Sequence, residues 1–292
     1  MFPAPAMPEF PEGQATTATT QLRYEDLTQD GRILPIALPS TQSSLWRNVL
    51  DVHPGARNAL RTGVIPILTR MIMVSEDQPI HVNRSIEVHA GFQLAHARDA
   101  TDQVTRLHMN VWTEVRGAAG RIGPSSKPGP LALAGRCFAE HTFTRLMAPP
   151  DQRKVTQLAV AGYPDVPELR YTAAPPATAG EPPPGAQWIA ALAPDLPYDF
   201  TLDQTDSNQH VNSLVYIRIF LDAVNRRLAS IGKRGKFRSR AVDVAYRKPS
   251  FAGDRVTCHL GLFESADGLG AAGYVAADDG KPRVFIRAAI GT

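Results

Sequence analysis

The 292-residue chain is poor in cysteine, with only Cys137 and Cys258, far apart and each inside a strand-like run. This argues against a disulfide framework or a cysteine-based zinc site, and both thiols are expected to be reduced and buried. No stretch approaches the roughly 18 consecutive apolar residues of a membrane-spanning helix, so no membrane insertion is expected. The histidines of the strand-like runs lie singly, without His-x-x-x-His spacing, so neither a metal nor another cofactor is expected. There is no Gly-x-Ser-x-Gly elbow, which leaves a serine hydrolase of that kind without support. Residues 1–20 carry four prolines and no Lys or Arg. They resemble neither a secretory signal nor an Arg-rich transit peptide, and they read as a flexible leader of a cytoplasmic protein.

What the chain does have is 25 prolines and 22 glycines. Pro149-Pro150, Pro164, Pro167, Pro175-Pro176 and Pro182-Pro183-Pro184 mark residues 149–187 as a Pro-rich linker, because proline at this density builds neither helix nor inner strand. A folded block is expected on each side, at 21–148 and at 188–292. In the first, a strand-like piece at Leu22–Tyr24 and a turn at Asp30-Gly31 precede a short capped helix around Leu45, Trp46, Val49 and Leu50. Ile86, Val88, Ala90, Phe92 and Leu94 then alternate with polar residues, as do Thr105, Leu107, Met109, Val111 and Thr113, and Leu131–Leu146 is a third such run. That period predicts antiparallel strands with one face buried. In the second block, Val211, Leu214, Ile217, Leu221, Val224, Leu228 and Ile231 draw one apolar helical stripe, ended by Gly232. Strands are expected around Val242–Tyr246, Val256–Leu262, Gly273–Ala277 and Val284–Ile290. The expected class is α+β, with one architecture used twice: a long helix wrapped by an antiparallel sheet.

The densest polar cluster, Asp206-Ser207-Asn208-Gln209-His210-Val211-Asn212, lies between a strand and that helix. An extended segment would place Asp206, Asn208 and His210 on one side, next to free amides at the helix start. A carboxylate, an amide, an imidazole and a site for developing negative charge are what acyl-group hydrolysis requires. Asp206 and Asn208 also suit plain turn and cap positions.

Asp206-x-Asn208-x-His210-Val211-Asn212, followed by Tyr216-Ile217, resembles the signature of the plant and bacterial acyl-ACP thioesterases. Tyr246-Arg247-Lys248-Pro249 with Gly253-Asp254 more loosely resembles single-unit acyl-CoA thioesterases. The resemblance implies two hotdog units in one chain, an N-terminal one with a degenerate site that shapes an acyl pocket and a C-terminal catalytic one. It implies that Asp206 orients or activates, Asn208 holds the thioester or the water, and His210 acts as base. Val211 or Asn212 would offer a helix-start N–H to the oxyanion. Where the plant enzymes carry Glu and Cys, this chain has Pro249 and Ser250. Either Asp206 and His210 suffice, or the fold dehydrates, cyclises or transfers a carrier-bound chain in polyketide or secondary lipid assembly, or it only binds one. His81-Val82-Asn83 echoes the motif without an Asp-x-Asn before it and reads as chance, so one active site per chain is expected.

The window Arg226–Lys248 holds nine basic residues and a single acid, Asp243, for a net +8 against −5 in the rest of the chain. Arg226, Arg227, Lys233, Arg234, Lys236, Arg238 and Arg240 are candidates for docking an acidic partner. Given the resemblance, that partner is acyl carrier protein or the phosphates of coenzyme A. A solvated helix end explains the same charge. No aromatic interleaving or binding motif points to nucleic acid. Two fused units could serve as a monomer or as a homodimer.

Overall fold

The structure is a computed structural model that describes residue 2, residues 4–122 and residues 127–291. Met1 and Pro3 of the leader, and Thr292 of the second block, lie outside the described residues. The described residues divide into two compact units, one of Ala4–Thr69 and Ser75–Ala174, the other of Phe2, Arg70–Val74 and residues 175–291.

The first unit holds strands β1 (Ala15–Thr20), β2 (Val64–Ser75, whose residues 70–74 count with the second unit), β3 (Ile86–Arg98), β4 (Val104–Ala118) and β5 (Leu131–Arg145). Their order is β1-β3-β4-β5-β2. β3 and β4 pair antiparallel from Glu87↔Arg116 to Arg98↔Val104, and β4 and β5 from His108↔Thr142 to Ala118↔Leu131. The alternating apolar residues of β3, Ile86, Val88, Ala90, Phe92 and Leu94, are all buried as expected.

Three expectations for this unit are corrected. Residues 15–20 of the leader are a strand, pairing from Ala15↔Gly91 to Thr20↔Ile86, because Thr and Ala there satisfy the edge of β3. Leu22–Tyr24 is not a strand, and Tyr24–Asp26 forms a single 3₁₀ turn. The long helix of the expected architecture is also missing, although helical turns stand where the short helix is expected around Leu45, Trp46, Val49 and Leu50. Short helical turns at Leu38–Thr41, Ser43–Leu45 and Trp46–Leu50 are followed by a helix at Pro54–Arg61. Pro54 pushes His53 to an extended conformation (φ −68°, ψ 124°), which breaks the run, and His53 Nδ1 then caps the new helix by accepting the Gly55 amide at 3.1 Å.

β4 also departs from the one-faced pattern, since His108, Asn110 and Trp112 are buried along with Leu107, Met109 and Val111. The second face is covered by the segments read as leader and linker. Phe10 lies 6.0 Å from Trp112, and Tyr171 meets His108 edge-on at 5.2 Å. The linker has no strand or α-helix of its own between Gln152 and Gln187, but it is anchored. His96 and Tyr171 exchange backbone bonds with Leu169 and His96, at 2.9 and 2.8 Å.

The second unit contains β6 (Gln187–Asp199), the long helix (Ser213–Ser230), β7 (Arg238–Tyr246), β8 (Arg255–Ser265), β9 (Gly268–Ala277) and β10 (Pro282–Gly291). The sheet order is β2-β7-β10-β9-β8-β6, with residues 70–74 of β2 pairing Ala245 to Ala241 of β7. The helix buries Ile217, Phe220, Val224 and Leu228. Lys233 and Gly232 close its end by donating to Leu228 and Ala229, with Gly232 at φ +77°. Cys137 and Cys258 are buried and unpaired. Asp243 is fully buried, gripped by Arg70 (2.8 and 2.6 Å) and by Arg287 at 3.1 Å. The one acid of the basic window therefore faces inward.

Candidate active site at the start of the long helix

Residues 204–212 form a small hairpin. Thr205 and Val211 bridge antiparallel, the Gln209 amide donates to Asp206 O at 2.9 Å, and the Asp206 amide donates to His210 O at 3.0 Å. The sequence explains the shape. Asp206 Oδ1 accepts the Asn208 amide at 2.8 Å, an Asx turn that bends the chain, and Gln209 takes the left-handed position at φ +66°. The expected extended segment is thus a turn, and it sorts the three candidates differently. Asp206 and His210 are brought together, with Oδ1 4.0 Å from Nδ1. Asn208 sits exposed at the tip and joins the pair through its backbone. The His210 and Asp206 side chains are 38% and 27% exposed, open enough to meet a substrate.

Asn212 is the helix cap. Its Oδ1 accepts the Leu214 amide at 3.0 Å, and its Nδ2 donates to Asp206 Oδ2 at 3.4 Å, which ties the carboxylate to the helix start. The two amides expected at the oxyanion are already engaged: Val211 N–H donates to Ser250 O at 2.8 Å and Asn212 N–H to Gln204 O at 2.9 Å. Neither is a free donor.

Tyr216 is legible in the sequence only as a motif position, and the structure places it beside the hairpin. The phenol lies buried, accepts the Ser250 amide at 2.9 Å and packs edge-on against Phe200 at 5.4 Å. Burial, the leading cause, raises its pKa, so the ring stays neutral. Ser250 is fully buried. It anchors the hairpin and does not present a nucleophile.

The basic window is partly neutralised. Arg226 pairs with Asp195, Lys233 with Glu264 at 2.8 Å, and Arg227 donates to Ala191 O at 3.1 Å. Arg234 and Lys236 are exposed, while Arg238 and Arg240 are half-buried. Among the described residues, no group of three or more His, Cys, Asp or Glu could hold a metal ion, and no helix is long and apolar enough to cross a membrane.

The first unit contains an apolar cavity of about 490 Å³. Among its lining residues Leu50, Ala59, Val64, Met109, Phe143 and Tyr163 are buried, and Asp51, Arg57 and Leu60 are exposed.

No family model matches the chain, and no curated protein matches it significantly. Solved structures do match over nearly the whole length. A protein assigned as an oleoyl thioesterase in Lactobacillus plantarum superposes with a TM-score of 0.64 at 15% identity, covering 96% of this chain and 97% of its own. An acyl-ACP thioesterase from Bacteroides thetaiotaomicron gives 0.60 at 16% identity, covering 96% and 99%. The 12:0-ACP thioesterase of Umbellularia californica gives 0.57 at 13% identity, covering 95% and 97%. At such identity the likeness speaks to the fold and not to the reaction. The chain has the fold of the acyl-ACP thioesterases, an α+β architecture with a large antiparallel sheet and few helices, consistent with a hotdog-like fold.

Proposed function

We propose that the protein is a thioesterase that hydrolyses acyl-ACP or acyl-CoA to the free acid. The observation that carries this reading is the pairing of Asp206 with His210 beside the start of the long helix, in a fold shared with acyl-ACP thioesterases. His210 takes a proton from water as the water oxygen attacks the thioester carbonyl. Asp206 stabilises the imidazolium that forms and favours the tautomer with its proton on Nδ1. The separation of 4.0 Å is longer than a hydrogen bond, and such pairs commonly tighten when substrate binds. The tetrahedral intermediate then collapses, the carbon–sulfur bond breaks, and the departing thiolate recovers the proton from His210. Asn208 at the tip positions the thioester arm. Water is the nucleophile in this mechanism, since Ser250 and both cysteines are buried.

In this reading each compact unit is a hotdog unit, the second catalytic and the first shaping the acyl pocket. The apolar cavity of the first unit supports that division. The exposed Arg234 and Lys236 suit the acidic carrier protein or the phosphates of coenzyme A.

The test is a thioester panel on both carriers. His210→Ala should lower turnover by about a hundred-fold or more, the usual contribution of a general base. Near wild-type hydrolysis by a folded His210→Ala protein would overturn the mechanism. Loss of water from a chain still attached to its carrier would replace hydrolysis with dehydration.

A further inference from the structure

We infer that Tyr163, carried on the Pro-rich linker, is a chain-length determinant, the stopper that closes the apolar cavity of the first unit. This deepens the proposed function, because it assigns the cavity to the acyl tail. The cavity's other lining residues come from the helical segment 46–61 and from strands β2, β4 and β5, and Tyr163 is the lining residue contributed by the linker. Tyr163 is 8% exposed, and its ring stacks on His53 with centroids 4.9 Å apart and meets Phe143 edge-on at 6.4 Å.

The backbone is shaped to bring that ring in. Ala159 and Gly162 adopt left-handed conformations, φ +48° and +92°, and turn the linker inward just before Tyr163. Gly55, in the first turn of the helix, lies so close that a Cβ there would sit 2.5 Å from the Tyr163 ring and 2.7 Å from the Gly162 carbonyl carbon. A Cβ on Gly162 would in turn come within 2.6 Å of the Gly55 amide. Two glycines therefore permit one aromatic side chain to press on the cavity. Of the lining residues, Met109, Phe143 and Tyr163 are buried, whereas Arg57 and Leu60 are exposed and offer the way in. An acyl chain inserted tail-first ends against the buried group.

The experiment uses the full chain with saturated acyl-CoA thioesters of increasing length, and in parallel the displacement of a fluorescent polyene fatty acid by free fatty acids of the same lengths. Tyr163→Ala should move the optimum to longer chains, raising kcat/KM about tenfold or more for the first lengths the wild type excludes. Gly55→Ala, which forces the ring and linker to shift, should alter the same profile. Tyr171→Phe, on the same linker but outside the cavity lining, should not. Unchanged profiles in both assays, for folded Tyr163→Ala and Gly55→Ala proteins, would overturn the inference. If the wild type hydrolyses no thioester while the displacement profile still shifts, the inference stands and the proposed activity falls.

Discussion

Ser250 and Tyr216 are joined by a buried hydrogen bond, Ser250 N–H to Tyr216 Oη at 2.9 Å, and the Ser250 carbonyl holds the Val211 amide at 2.8 Å. The strand-to-loop segment after β7 is thus bolted both to the long helix and to the hairpin that carries His210. In the proposed mechanism Tyr216 is a positioning residue that acts through Ser250.

Tyr216→Phe would leave the Ser250 amide buried without its acceptor. The expected cost is about 1–3 kcal/mol of stability, read by urea denaturation. Turnover should fall with little change in KM, because the hairpin loses its anchor. A wild-type unfolding midpoint would show that the bond contributes nothing.

Gln209 holds a left-handed conformation in the turn between Asp206 and His210. Side chains other than glycine cost about 1–2 kcal/mol there, partly offset by the larger backbone entropy of glycine in the unfolded chain. Gln209→Gly should therefore stabilise the protein by up to about 1 kcal/mol, and Gln209→Val should destabilise it. Thermal melts of the two variants should bracket the wild type; the reverse order would contradict the turn geometry.

His141 is buried beside Trp46, and desolvation lowers its pKa to about 4. Its folded pKa lies below the unfolded value, so the neutral form is the one the fold favours. The contribution is present above about pH 6.5 and is lost as pH falls toward about 4, on the order of 3 kcal/mol. His53 and His108, both also shifted down mainly by desolvation, act in the same direction. Melts from neutral pH downward should show the loss, and His141→Gln should flatten that slope.

Arg234 and Lys236 are exposed, whereas Arg226 and Lys233 are paired with Asp195 and Glu264. Charge reversal at Arg234 and Lys236 should raise KM for the carrier-linked substrate several-fold at low salt and much less at high salt. Titrating salt against KM for the Arg234→Glu, Lys236→Glu protein checks this. An unchanged KM at low salt would move docking elsewhere.

The reading of the sequence succeeded where a local pattern had one physical meaning. Alternation marked β3, spacing of three and four marked the long helix, and Gly232 marked its end. β2 is not legible, because it is nearly continuous in apolar residues from Val64 to Val74 and contains Pro66, so neither period shows. The N-terminal helix was legible as a fragment only, since Pro54 divides it.

By itself the sequence determined that the chain is α+β, that a long helix follows a polar cluster, and that Asp206 and His210 belong to that cluster. The local turn set by Asp206 and Gln209 decides which of those groups meet, and tertiary structure decides which of their neighbours are free. Whether an amide is free depends on carbonyls distant in sequence, as Ser250 is from Val211. Whether a cation is free depends on an acid across the fold, as Asp195 is from Arg226. The linker illustrates the same limit: its prolines exclude regular structure, but only close packing against Gly55 places Tyr163 in the wall of a cavity.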